Sequence, residues 1–137
     1  ARKQRQESEL RLIEEGDAFL AQNAEMPGVE LTESGLQYRV IEPGDGKRPG
    51  PTDMVTVNYR GFLTDGKPFD SGEGVTFQLN RVIKGWTEGL QLIEEGGTIA
   101  LVVPRDLAYG NRGVMAHRTL IFEIELLSVA APEDEAG

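Results

Sequence analysis

From Val82 to Ile93 the chain reads V-I-K-G-W-T-E-G-L-Q-L-I, with Val82, Ile83, Trp86, Leu90 and Ile93 recurring at three- and four-residue spacing. That spacing predicts a helix over 82–93 with one apolar stripe. The flanks follow a different period. Gly96-Gly97 ends the helix, and Ile99 to Val103 continues as an apolar strand. Thr119 to Val129 forms the last strand, with Leu120, Phe122, Ile124 and Leu126 on one face. Upstream, Val55, Val57 and Tyr59 alternate with Thr56, Asn58 and Arg60, the pattern of a strand buried on one side. Asp65-Gly66 is a tight turn, and Phe69, Phe77 and Leu79 carry the sheet onward. Leu36, Tyr38 and Val40 alternate with Gln37, Arg39 and Ile41 to make the first strand, with one buried face. Three strands, one short helix and two strands predict an α+β fold, an antiparallel sheet with a helix packed on its concave face.

Composition is consistent with this. At 137 residues and 39% hydrophobic, the chain has material for one core. Its 17 Gly and 7 Pro stand between short apolar runs, as in strands joined by turns. A net charge of -9 argues against nucleic acid or an anionic membrane as the main partner, because both reward clustered Lys and Arg. With no Cys there is neither disulfide nor thiolate chemistry, and the redox character of the compartment stays open. No apolar run reaches the roughly 20 residues needed to span a bilayer. The first residue is Ala1 rather than Met, which points to a processed or trimmed protein.

Four segments are expected: a helical segment over 1–25, a linker over 26–31, a folded domain over 32–130 and an acidic disordered tail over 131–137. In the first, Leu10, Ile13 and Leu20 fall near one face with Phe19 beside them, and Gly16 weakens the centre. Two readings stand level: an exposed helix capping the domain, or the end of a dimerisation arm. Met26-Pro27-Gly28 ends the helix.

Several chemistries find no support. There is no Cys nucleophile and the one His, His117, has no Ser motif beside it, so it reads as a loop residue. No His/Asp/Glu spacing suits a metal, no glycine motif suits a phosphate, and no cofactor is expected. Glu94 and Glu95, adjacent before Gly96-Gly97, read as a solvated helix end. What stands out is a set of aromatic residues: Tyr59, Phe69, Phe77, Trp86, Tyr109 and Phe122. Each could be core, and for Phe77 core is the better reading; the others surround a helix start, as around an apolar pocket.

Five motifs then occur in order: V-T-V-N-Y-R-G from Val55, D-G-K-P-F-D-S from Asp65, V-I-K-G-W from Val82, A-Y-G from Ala108 and T-L-I-F-E-I-E-L-L from Thr119. Over about residues 32 to 129 the chain resembles the FKBP-type peptidyl-prolyl cis-trans isomerases. G-D-A-F-L-A-Q-N from Gly16 and S-G-L-Q-Y from Ser34 resemble the subgroup of macrophage infectivity potentiators and bacterial periplasmic FKBP chaperones, in which an N-terminal helical region dimerises the protein. The resemblance implies a half-open antiparallel β-sheet wrapped on one short α-helix and an enzyme that rotates X-Pro peptide bonds without cofactor or metal. It also implies unfolded or partly folded proline-containing polypeptides as partners, macrolide inhibitors as further ligands, and a homodimer for the full-length protein. The implied location is the bacterial periplasm or outer membrane, with the cytoplasm left open.

Residue by residue, the resemblance implies a cleft floored by Trp86 and walled by Tyr59, Phe69, Val82, Ile83 and Phe122. The Ile83 backbone N–H and the Tyr109 hydroxyl would hold substrate carbonyls, and Asp70 would fix Tyr59 or a polar substrate group. Tyr59, Asp70, Tyr109 and Phe122 carry the catalytic expectation. Val75 stands where relatives often carry an aromatic. The family loop before the last strand is usually longer; here it reads G-N-R-G-V-M-A-H-R-T from Gly110, so Val114 and Met115 are the replacements expected to flank the cleft. The short loop sustains an alternative, a peptide-binding or chaperone module with weak catalysis.

Overall fold

The computed structural model describes residues 2–132; Ala1 and residues 133–137, most of the expected acidic tail, lie outside them. Helix α1 (Arg2–Ala24) is followed by β1 (Glu30–Leu31), β2 (Gln37–Glu42), β3 (Met54–Leu63), β4 (Pro68–Gln78), α2 (Lys84–Gly89), β5 (Thr98–Val103) and β6 (Leu120–Ala130), with 3₁₀ turns at Leu79–Arg81, Leu90–Leu92 and Arg105–Leu107. The six strands form one antiparallel sheet in the order β1-β2-β5-β6-β3-β4. β6 lies centrally, paired to β3 from Leu120↔Leu63 to Ala130↔Met54 and to β5 from Leu120↔Val103 to Glu125↔Thr98.

Alternation along the long strands decides what is inside. Val55 and Val57 of β3, Ile99, Leu101 and Val103 of β5, and Leu120, Ile124 and Leu126 of β6 are fully buried beneath α2. Each such side chain stabilises the fold by roughly 1.5–3 kcal/mol relative to exposure. α2 approaches the sheet closely because its contact positions are glycines. A Cβ on Gly85 would stand 2.5 Å from Val103 Cγ1, and one on Gly89 would stand 2.7 Å from Leu101 Cδ2.

The apolar stripe over 82–93 is longer than the helix it forms. Ile83 is extended (φ -58°, ψ 151°), and regular α-helix ends at Gly89 before a tighter turn that buries Leu90. Apolar spacing reports which residues face the core, and a 3₁₀ turn can satisfy the same spacing. β2 also lacks a cleanly alternating buried face. Gln37 is buried at 4% exposure while Val40 is 37% exposed, because the end of α1 covers Gln37. Gln37 Nε2 donates to the Leu20 carbonyl at 2.9 Å, and its Oε1 accepts from Asn23 Nδ2 at 2.8 Å.

α1 therefore docks along the domain. Gly16 is buried against Thr119, where a Cβ would come within 2.5 Å of Thr119 Oγ1. One residue on, Asp17 accepts from Arg105 Nη1 at 2.9 Å. The glycine that weakens the helix in isolation is the one that lets it approach. Within the stretch expected as linker, Glu30 and Leu31 pair with Tyr38 and Gln37. No helix among the described residues is long and apolar enough to cross a membrane.

Candidate active site

Trp86 lies in the first turns of α2, facing the sheet, and three aromatic rings meet it edge-on. Tyr59 from β3 stands 5.0 Å away at 78°, Phe122 from β6 at 5.3 Å and 90°, and Phe77 from β4 at 5.6 Å and 88°. Ring centroids 4.5–7 Å apart in T-shaped geometry match the quadrupole preference of aromatic pairs. The indole is only 4% exposed, yet it borders a cavity of about 280 Å³ whose apolar walls come from Tyr59, Phe77, Val82, Ile83 and Phe122. Asp70, Arg81 and Tyr109 supply its polar rim. The volume sits near the lower bound of the roughly 300–1,000 Å³ of small-molecule pockets. It has room for one small ring.

Glycines set the wall positions. A Cβ on Gly72 would stand 2.7 Å from Tyr59 Cε1, and one on Gly61 would stand 2.8 Å from Phe69 Cε1 and 3.0 Å from Phe122 Cε1. Tyr59 lies across the bare backbone of β4, and the Phe69 and Phe122 rings meet over that of β3. A bulge helps: pairing jumps from Val57↔Val75 to Tyr59↔Gly72, and Gly74 takes a left-handed φ of 61° while its N–H donates to Asn58 Oδ1 at 2.8 Å.

The polar groups are arranged as donors. The Tyr59 hydroxyl donates to Asp70 Oδ2 at 3.1 Å, and Asp70 Oδ1 accepts from the Ser71 N–H at 2.9 Å. Burial, then the hydrogen bond to the Asp70 carboxylate, pushes the Tyr59 phenol above its ordinary value, so it stays protonated. Thr87 Oγ1 donates to the Leu79 carbonyl at 2.6 Å, holding the turn that leads into α2. Ile83 caps that helix through its carbonyl, which accepts from Trp86 N and Thr87 N at 3.0 and 3.1 Å. Among the described residues the Ile83 N–H and the Tyr109 hydroxyl have no hydrogen-bond partner, and Tyr109 is 43% exposed.

Tyr59, Asp70, Val82, Ile83, Trp86, Tyr109 and Phe122 thus converge on one cavity. Four other residues singled out in the sequence do not line it. Phe69 stands behind the wall, edge-on to Phe122 at 5.6 Å. Val75 pairs with Val57 along the sheet, Met115 packs at the edge of the core, and Val114 is 88% exposed on the short loop. Two lining residues escaped sequence reasoning. Phe77, expected in the core, is only partly buried and closes one side of the cleft; its alternation with Gln78 could not say which buried position borders a void. Arg81 lies in the 3₁₀ turn before α2, and an exposed Arg in a polar turn carries no signal of its own.

A sequence model described as "FKBP-type peptidyl-prolyl cis-trans isomerase" matches residues 46–127. The chain belongs to that family. A second model, the domain amino-terminal to FKBP-type isomerases, matches residues 1–40 and so takes in α1, β1 and most of β2. The chain is 46% identical over 129 residues to the probable FKBP-type isomerase FkpA of Neisseria meningitidis serogroup B, covering 88% of this chain and 47% of that protein. It is 51% identical over 122 residues to the outer membrane protein MIP of Legionella longbeachae, covering 83% and 52%. The crystal structure of FkpA from Escherichia coli superposes with a TM-score of 0.89 at 40% identity, over 95% of this chain and 64% of that one. The chain spans about half the length of the curated relatives it matches. The FKBP domain here thus carries its aromatic cleft between α2 and the strands β3, β4 and β6.

Proposed function

We propose that this chain is a peptidyl-prolyl cis-trans isomerase whose catalytic surface is the cavity over Trp86. The observation that carries the reading is an indole bordering an apolar cavity of about 280 Å³, large enough for a proline ring. Rotation about a peptide bond is opposed by a barrier of roughly 18–20 kcal/mol, because the planar amide shares the nitrogen lone pair with its carbonyl. Water stabilises that polar planar form. A proline ring against Trp86, enclosed by Tyr59, Phe77 and Phe122, leaves water behind, and the less polar twisted amide is then relatively favoured. The Ile83 N–H and the Tyr109 hydroxyl hold carbonyls of the flanking chain, and Asp70 keeps Tyr59 in place. Uncatalysed exchange takes tens to hundreds of seconds, so about ten events per second requires only roughly 3–4 kcal/mol of transition-state preference. Desolvation and a few fixed hydrogen bonds are of that size.

Phe69 and Val75 support the wall from behind, while Val114 and Met115 meet the chain beyond the proline. Because Val114 is 88% exposed, a second reading has a specific basis. A cleft without an overhanging loop holds unfolded clients with weak catalysis. The relative named an outer membrane protein supports a cell-envelope location, and the match to the amino-terminal domain supports a homodimer of the full-length protein. The same apolar cavity would take one small ring of a macrolide inhibitor. Exchange of an Ala-Pro peptide followed by NMR tests the isomerase: cross-peaks gained on adding protein support it, and rates equal to the blank overturn it. Suppressed aggregation of an unfolding client with no acceleration of exchange favours the second reading.

A further inference from the structure

The charges around the cleft are unevenly occupied. Asp70 on its rim is engaged through both oxygens, by the Tyr59 hydroxyl and the Ser71 N–H. Glu88, in the shallower groove that continues past Val82, accepts from the Ser34 hydroxyl. The cations are different. Arg81 lines the cleft and Lys84 lines the adjoining groove, and neither takes part in a salt bridge or side-chain hydrogen bond among the described residues. Among the described residues Arg48, Arg60 and Arg105 each meet a carboxylate, whereas Arg39, Lys47, Lys67 and Arg112 do not; what distinguishes Arg81 is that it alone of these cations lines the cleft. In a chain of net charge -9, two cations on either side of Val82 set a local field opposite in sign to the overall one.

We infer that Arg81, seconded by Lys84, selects proline-containing segments that carry an acidic side chain next to the proline. This rests on the isomerase reading above and adds a substrate class to it. A proline seated on Trp86 brings its flanking residues to the rim, where Arg81 stands two positions before Ile83. The guanidinium is planar, permanently charged and able to take a carboxylate through two N–H groups. Asp70 would compete for a basic neighbour, with one acceptor site on each oxygen already taken by Tyr59 and Ser71. A rim pair open to water is worth less than about 1 kcal/mol, which corresponds to a preference of roughly two- to five-fold. The protein's overall negative field acts against acidic peptides at long range, and at about 0.15 M salt it is screened beyond roughly 8 Å.

The test compares kcat/KM by NMR exchange at that salt for five short peptides: Ala-Pro-Ala, Glu-Pro-Ala, Lys-Pro-Ala, Ala-Pro-Glu and Ala-Pro-Lys. The wild-type chain is expected to favour Glu over Lys about two- to five-fold on at least one side of the proline. In Arg81→Ala the ratio falls toward one and in Arg81→Glu it inverts, each ratio being internal to its variant and so independent of overall activity. Acceleration of Ala-Pro-Ala with a wild-type ratio of one, or a ratio unchanged in Arg81→Ala, overturns the inference and leaves the isomerase reading standing. If Ala-Pro-Ala itself is not accelerated, the isomerase reading falls and the inference with it.

Discussion

The strands β3 and β6 each build two concavities, one on either face of the sheet, and the larger of them is the less suited to the chemistry. On the concave side Tyr59 and Phe122 help enclose about 280 Å³ over Trp86. On the solvent face Asn58, Arg60, Glu123 and Glu125 border a groove of about 800 Å³. That groove is filled with its own polar pairs, Arg60 to Glu123 at 2.8 Å and Asn58 to Glu125 at 3.1 Å. Its floor is a sheet face lined by polar and charged side chains. The smaller cavity is lined mainly by apolar groups because every second residue of the same strands is apolar and α2 lies over them. For a reaction driven by desolvation, an apolar lining matters more than volume.

The contrast can be broken most severely at its centre. Trp86→Ala should remove isomerisation and, by opening a void among Tyr59, Phe77 and Phe122, cost roughly 3–5 kcal/mol of stability in denaturant titration. A variant that isomerises peptides at the wild-type rate would show that the indole is not the floor. Next in size is Gly72→Ala. Its new methyl would meet the Tyr59 ring at 2.7 Å, so overpacking should cost about 1–3 kcal/mol and lower kcat/KM about ten-fold. The readout is activity compared with melting temperature, and an unchanged kcat/KM would mean that Tyr59 can move without consequence.

Tyr59 borders both concavities, so its ionisation sharpens the comparison. Burial and the Asp70 hydrogen bond raise its pKa in the folded protein above the ordinary phenol value of 10.0. The stabilisation is therefore fully present below the unfolded pKa and is lost as pH rises through the folded one. Above about pH 10 the wild-type chain should lose stability faster than Tyr59→Phe, which has no phenol to ionise. Matching alkaline limbs for the two proteins would exclude the effect. At neutral pH the same substitution loses one exposed hydrogen bond, about 0.5–1.5 kcal/mol at most.

The smallest effect belongs to the solvent face. Arg60 and Glu123 are exposed, and Arg60→Ala should change stability by less than about 1 kcal/mol and leave peptide exchange at the wild-type rate. A several-fold fall in exchange on that substitution would assign the larger groove a part in catalysis.

Much of this was legible in order along the chain. Alternation in 55–60 and 120–126 placed the inward residues of β3 and β6, because pleating turns a period of two directly into two faces. The stripe over 82–93 located α2, though not its shortening to Lys84–Gly89. The burial of Gln37 was not legible, because its partners, Asn23 and the Leu20 carbonyl, belong to a helix remote in sequence. Phe77 and Arg81 were missed as cleft residues for the same reason: each borders a void defined by other elements. Val114 and Met115 were assigned by loop position, and the short loop sends Val114 into solvent.

Sequence alone determined the inward faces of β3 and β6 and the position of the short helix, since each depends on spacing between neighbours along the chain, while the resemblance of five ordered motifs implied the family. Only the tertiary structure decided which aromatic rings surround an opening and which merely support it, and which charges have partners. The reason is steric: the walls stand where Gly61 and Gly72 leave room for rings from other strands, and Gly85 and Gly89 set how deeply Trp86 is seated. Such contacts join residues far apart in the chain, and no local period encodes them.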